Sequence, residues 1–268
     1  MTYITAIILG IVEGATEFIP VSSSGHLIIV RQILGENVTG GLAFDAILQF
    51  AAVFALIVYF RREVWELVQT FWDLVTHKNI SEKDKTLFWA ILLGTIPAIV
   101  FGLLLESQMD TIFRNVKLVS GTLILGSLLF WIADRVSIVF EGRHKALNLW
   151  RGVLVGFFQC LALVPGVSRS GATISGGLIL GLQKDEAIKF SFLLSIPILL
   201  GSGLKKMIEV RHDILSSDFG IQLLLGSLTA FVVGYLSIKF LITYLKNHNL
   251  NVFIWYRVAL ALLILISF

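Results

Sequence analysis

Cysteine is nearly absent. Cys160 stands alone in 268 residues, so no disulfide can close within the chain, and its place in an apolar run gives it a packing role. Charge is scarce as well: 15% of the residues are charged, against about 25% in a soluble domain. No lysine or arginine precedes Arg31, and Glu13 falls where a leader peptide would be apolar, so no cleavable signal is expected. Prolines number four, and turn residues are too few and too irregular to punctuate barrel strands. The net charge of +3 is too small to indicate nucleic acid as a partner. What remains is a chain that is 56% hydrophobic with a mean hydropathy of +0.87, which is the composition of a helical integral membrane protein.

Six stretches read as membrane spans: Phe44 to Phe60, Leu87 to Leu105, Leu118 to Ile132, Phe190 to Leu204, Phe219 to Leu245 and Val252 to Phe268. Two others, Ile4 to Leu34 and Leu149 to Leu182, are apolar but interrupted at their middles by Gly, Pro and Ser. Their halves of about ten residues are too short to cross alone, so each reads as a re-entrant helical pair. Irregular backbone at membrane depth is tolerated only where protein buries it or a watery cavity meets it, which makes both breaks candidate sites.

The two breaks resemble each other. Ser22 and Ser168 are 168 − 22 = 146 residues apart, and at that offset VSSSG (Val21 to Gly25) lies over VSRSG (Val167 to Gly171) with four of five positions identical. Glu13 lies over Gln159, and Phe44 over Phe190. Each half then comprises a broken pair and three spans, residues 1–136 and 137–268. An odd number of crossings turns the second half upside down, giving an all-α polytopic membrane protein with an inverted-topology repeat. Such repeats bring their broken helices together near the midplane. Counting basic residues places the loops carrying Arg61, Arg62, Lys78, Lys83 and Lys85, and Arg135, Arg143, Lys145 and Arg151, on the cytoplasmic side, the intervening loop having only Arg114 and Lys117. Both termini then face outward. Lys205, Lys206 and Arg211 fall in an outer loop on this reading, against the rule. The stretch after Arg61 alternates charges with Trp65, Phe71 and Trp72 at helical spacing and reads as a helix lying in the interface.

Polar residues at depth carry the chemistry. Glu13 and Glu17 are one helical turn apart on a common face. Two carboxylates in low dielectric stay ionised only with positive charge between them; Mg²⁺ suits such a pair, and Arg31 or Arg169 as an ion-pair partner, or a protonated carboxyl, is the alternative. The serines of SSSGHL and SRSGAT stand at expected helix starts, where unpaired N–H groups and the dipole attract anions, and Arg169 adds a fork matched to phosphate. His26 is a candidate base or phosphate ligand, or a histidine satisfied by a backbone carbonyl. Asp45 and Gln49 are candidates to support the site from the next span, Asp45 alternatively capping that helix. Lys205, Lys206, Lys239 and Arg257 lie near expected helix ends and are expected to reach toward the interface. Together these residues describe a pocket for a phosphorylated lipid.

EGATEF (Glu13 to Phe18), VSSSGHL (Val21 to Leu27) and PGVSRSGAT (Pro165 to Thr173) resemble the motifs of the bacterial undecaprenyl-pyrophosphate phosphatases of the bacitracin-resistance type, over essentially the whole chain. The resemblance implies hydrolysis of undecaprenyl pyrophosphate to undecaprenyl phosphate and inorganic phosphate. This reaction recycles the lipid carrier for peptidoglycan and other envelope polymers and confers bacitracin resistance. It also implies Mg²⁺ or Ca²⁺ as cofactor, a site open to the outer face of the bacterial plasma membrane, and a homodimer among membrane lipids. By the same resemblance Glu13 and Glu17 bind the metal, Arg169 the pyrophosphate, and Ser22, Ser23, Ser168, Ser170 and Thr173 line the pocket. Ser23 activated by His26 is one candidate nucleophile; water activated by His26 or a glutamate is the other. A secondary transporter shares the broken-helix design and stands as the alternative class, with a cluster of Ser, His and Arg tilting toward hydrolysis.

Overall fold

A computed structural model of the chain describes residues 1–36, 41–106, 115–211 and 217–267. The described residues form eleven helices and no strand, so the chain is the expected all-helical membrane protein. The first broken pair is α1 (Tyr3–Glu17) and α2 (Ser23–Ile33); the second is α7 (Leu149–Leu161) and α8 (Arg169–Ile179). Between them run α3 (Leu42–Tyr59), α4 (Arg61–Val75), α5 (Glu82–Leu104) and α6 (Val116–Val139). The chain ends with α9 (Lys184–Glu209), α10 (Ser217–Asn247) and α11 (Asn251–Ser267).

Among the described residues four helices, α5, α6, α9 and α10, are long and apolar enough to cross a membrane, and α3 and α4 pass the same test only as a pair, bent by 89° between them. The remaining expected span, α11, has 17 residues, about 26 Å of helix at 1.5 Å per residue. Arg114, counted for orientation, and Phe268, the expected end of the last span, lie outside the described residues. After the bend, α4 exposes Trp65, Phe71, Trp72 and Val75 while Val64 and Leu67 pack on the main apolar cluster, the two-sided pattern of a helix running along the surface of a bundle.

Helices in lipid gain little from burying one apolar face against another, so close approach through small residues decides which ones pack. A Cβ on Gly14 of α1 would stand 2.7 Å from the carbonyl oxygen of Ala230 and 2.8 Å from the amide of Gly234 on α10. A Cβ on Gly94 of α5 would stand 2.7 Å from the carbonyl oxygen of Gly152 on α7. Each broken pair therefore leans on a spanning helix of the other half. Phe18, following α1, meets Phe192 of α9 edge-on with centroids 6.0 Å apart, which anchors the entry to the first break in the main cluster.

Candidate active site

Both breaks are built alike. Ser22 and Ser168 cap α2 and α8 with φ at +75° in each case, a region that side-chain-bearing residues enter at a cost of about 1–3 kcal/mol. Their hydroxyls accept from the amides of Gly25 and Gly171, each at 3.3 Å, the expected N-caps. Ser22 Oγ also accepts from the Gly166 amide at 3.0 Å, so the two breaks touch. Gly166 has φ +99°, and a Cβ there would run into Thr122, whose hydroxyl donates to the Pro165 carbonyl at 2.5 Å. Only glycine fits that turn.

Arg257 corrects an expectation. It does not reach the interface; it is 0% exposed within α11. Its Nε donates to Ser127 Oγ at 3.2 Å, Nη2 to the carbonyls of Gly166 at 2.8 Å and Leu123 at 3.1 Å, and Nη1 to those of Val167 at 3.0 Å and Pro20 at 3.5 Å. All five guanidinium donors are used, three of them on the two breaks. The plane also sits 4.6 Å over the Phe130 ring. One side chain thus ties both breaks to α6 and α11, with carbonyl dipoles in place of a carboxylate partner.

A cavity of about 500 Å³ opens where the breaks meet. Its polar end holds Glu17, Ser22, Ser23, Ser24, Ser168 and Arg169, and its flanks on α5 and α9 are mostly apolar, among them Ile99, Leu103, Ile198 and Leu199. Glu106, Lys205 and Lys206 stand at the far end, by the last turns of α5 and α9. There Lys205 pairs with Glu106, and Lys206 with Glu209 at 2.8 Å. The hydrogen bond from Lys205 holds the Glu106 carboxyl below the usual carboxylate range. Lys205 and Lys206 therefore do sit at a helix end as expected, as part of the cavity wall.

At the polar end the Ser23 hydroxyl donates to Glu17 Oε2, and Arg169 forms an ion pair with Glu17 Oε1. One carboxylate thus joins a hydroxyl from the first break to a guanidinium from the second. Glu13 is 0% exposed and does not line the cavity; its carboxyl lies against that of Glu17, with Asp45 and Arg169 within its electrostatic reach. Arg31 is committed elsewhere, to Asp45 through Nε at 3.1 Å and Nη2 at 2.6 Å. That pair fixes α2 against α3 beside Gln49, another residue of the cavity wall.

Three more expected site residues stand off the cavity wall. His26 Nδ1 meets the Ser22 carbonyl at 2.7 Å and must donate to it, leaving Nε2 to accept from the Tyr256 hydroxyl at 2.8 Å. With both nitrogens engaged on Ser22 and Tyr256, His26 does not line the cavity, and the Ser23 hydroxyl bonds Glu17 instead. Ser170 hydrogen-bonds Ser168 Oγ at 3.3 Å, and Thr173 donates to the Arg169 carbonyl at 2.8 Å and pairs with Ser191 of α9. Neither lines the cavity, because the rotation of α8 turns them toward its neighbours. One wall residue was missed as a candidate. Gln159, on the last turn of α7, is 2% exposed, and neither amide atom has a hydrogen-bond partner; Arg169 Nη1 is buried without one too. The signal was present in the offset that lays Gln159 over Glu13.

The oxygen donors at the breaks are of the type a hard divalent cation takes. Glu13 offers two buried oxygens, and Glu17 and the serines add further oxygen donors. No group of three or more His, Cys, Asp or Glu able to hold a metal occurs among the described residues. Two carboxylates with the rest of the shell from water and phosphate oxygens is the arrangement Mg²⁺ accepts, so the residues fit it.

The family described as "Bacitracin resistance protein BacA" matches residues 6–263. A Chlorobium chlorochromatii protein named undecaprenyl-diphosphatase is 41% identical over 273 residues, which cover 99% of this chain and 96% of that protein. Proteins of the same name from Corynebacterium efficiens and Elusimicrobium minutum are each 39% identical over 267 residues, covering 99% and 100% of this chain and 90% and 98% of theirs. The chain belongs to the BacA family.

Proposed function

From that membership and the geometry of the breaks we propose that the chain hydrolyses undecaprenyl diphosphate to undecaprenyl phosphate and inorganic phosphate. The observation that carries this is the Ser23–Glu17–Arg169 contact at the polar end of an otherwise largely apolar cavity. A diphosphate headgroup fits the polar end, and the prenyl chain fits the flanks on α5 and α9. Ser23 Oγ attacks the terminal phosphorus in line, its proton passing to Glu17; the bond from that phosphorus to the bridging oxygen breaks, and undecaprenyl phosphate leaves. Arg169 and the starts of α2 and α8 stabilise the charge that builds on the phosphoryl oxygens. Water then attacks the phosphoserine, releasing inorganic phosphate and restoring the Ser23 hydroxyl. Glu13 and Glu17 would hold Mg²⁺ or Ca²⁺, which when bound draws charge from a phosphoryl oxygen. His26 orients the first break through Ser22 and Tyr256 instead of serving as the base. Direct attack by water with Glu17 as base uses the same carboxylate and is the second reading.

The same proposal includes the inverted repeat of residues 1–136 and 137–268, supported by the matched caps at Ser22 and Ser168 and by the exchange of packing partners, α1 on α10 and α7 on α5. It places the site on the outer face of the bacterial plasma membrane, because the cavity's far end lies by the ends of α5 and α9, away from the loops richest in basic residues. Carrier recycling for peptidoglycan and bacitracin resistance follow from the reaction, and the homodimer rests on the family likeness. The test is phosphate release from undecaprenyl diphosphate by purified protein, with and without EDTA, for wild type, Ser23→Ala, Glu17→Ala and Arg169→Ala. Metal-dependent release abolished in all three folded variants is the expected result. Sustained turnover by Ser23→Ala would move the nucleophile to water; no release by monodisperse wild type would overturn the hydrolase and bring the transporter forward.

A further inference from the structure

We propose that Gln159 is a phosphoryl-binding residue, its amide Nε2 and Arg169 Nη1 forming a two-donor clamp on the anionic headgroup. The inference rests on the hydrolase reading above and adds a contact to its site. Gln159 lines the cavity on the last turn of α7, and Arg169 lines it from the first residue of α8, seven positions past Ala162, where the break begins. Both amide atoms of Gln159 and Nη1 of Arg169 are buried with no hydrogen-bond partner, while Nη2 of Arg169 is taken up by Glu17. Buried donors left unpaired are costly to the fold, and a pair of them beside a cavity is accounted for when a ligand supplies the acceptors. Phosphoryl oxygens are such acceptors, and a guanidinium beside an amide N–H matches two of them.

The aligned position in the first half explains why the residue is glutamine. Glu13, 146 positions earlier, is a buried carboxylate suited to a cation. A carboxylate at 159 as well would repel the phosphoryl group; the neutral amide is nearly the same shape and turns an acceptor into a donor. The site is thereby divided into an acidic side, Glu17 on the cavity wall with Glu13 buried one helical turn away on α1, and a donor side, Gln159 and Arg169. The ligand class that satisfies both is a phosphoryl group accompanied by a divalent cation.

The test compares wild type, Gln159→Leu and Gln159→Glu, purified as the full chain in detergent, by two readouts: thermal stabilisation by inorganic diphosphate with Mg²⁺, and steady-state hydrolysis of undecaprenyl diphosphate. Gln159→Leu removes an unpaired amide, so without ligand it should melt no lower than wild type. Its stabilisation by diphosphate should shrink as for a tenfold weaker ligand, and its kcat/KM should fall about tenfold or more, the worth of a hydrogen bond to a charged group. Gln159→Glu should fall further, because the same volume now carries a negative charge. A Gln159→Leu protein with wild-type diphosphate response and kcat/KM within twofold would overturn the clamp. So would a ligand-free melting point several degrees below wild type, which would reveal a structural partner for the amide. If wild type binds diphosphate without hydrolysing the lipid, the hydrolase reading fails while the stabilisation arm still decides the clamp; if wild type is not stabilised at all, the clamp fails.

Discussion

Arg257→Met is the perturbation that most directly asks whether the two breaks are held by one side chain. Methionine keeps much of the volume and removes every donor. The guanidinium bonds to Gly166 at 2.8 Å and Val167 at 3.0 Å are the shortest it makes to the breaks. Hydrogen bonds to a charged group are worth about 1.5–3 kcal/mol each, so these two amount to about 3–6 kcal/mol. Loss of the Phe130 contact adds to this, whereas relief from burying a cation without a carboxylate subtracts from it, leaving roughly 2–4 kcal/mol. At about 2–4 °C per kcal/mol for a chain of this size, thermal unfolding in detergent should fall by roughly 4–16 °C. The catalytic consequence should exceed the thermal one. Both Ser22 and Ser168 sit at φ +75°, and a strained turn keeps its shape only while its surroundings enforce it. Phosphate release should therefore drop at least tenfold even at temperatures where the variant is folded, the effect of a sub-ångström misplacement of Ser23 and Arg169. Arg257→Lys, with three donors on a point charge, should fall between the two. A methionine variant melting within 2 °C of wild type with turnover within twofold would refute the reasoning.

Gly126→Ala tests the same tie without touching the arginine: the new Cβ would press on Arg257 Nη2 and lie 3.0 Å from the Val167 carbonyl, so melting point and turnover should fall together, measured as for Arg257→Met. Gly14→Val should separate α1 from α10 and cost about 1–3 kcal/mol by overpacking, read as a lowered melting point and weakened expression of folded protein. EDTA should abolish phosphate release by wild type and Mg²⁺ should restore it; Glu13→Gln should raise the Mg²⁺ concentration needed for half-maximal activity, whereas an unchanged requirement would remove Glu13 from the cation site. The Lys205–Glu106 pair predicts an acid limb. Because the folded Glu106 carboxyl titrates below its usual range, the stability it lends is present above that range and is lost as pH falls through the lowered value. The pair is exposed and worth about 1 kcal/mol or less, so the melting-point difference between wild type and Glu106→Gln should be small at pH 7 and shrink toward zero as pH falls below the usual carboxylate range.

The sequence by itself determined the class of fold and the depth of the chemistry. In a chain this apolar, every polar group at mid-span is an exception that water cannot explain, so Glu13, Glu17, the two serine runs and Arg169 stood out, and the 146-residue offset paired the breaks before any packing was known. Composition also separated the broken pairs from the spans, since half-length apolar runs cannot cross. Tertiary structure alone decided direction. A sequence position gives a residue's depth along its helix, but the rotation of that helix about its axis decides which neighbour the side chain meets, and rotation is set by close contacts such as Gly14 on α10 and Gly94 on α7. For that reason Ser23 faces Glu17 while His26, three residues on, turns to Tyr256; Ser170 and Thr173 turn from the cavity while Gln159 turns into it. The same rotation brings Arg257, which looked like one more interfacial cation, to a point from which it holds both breaks.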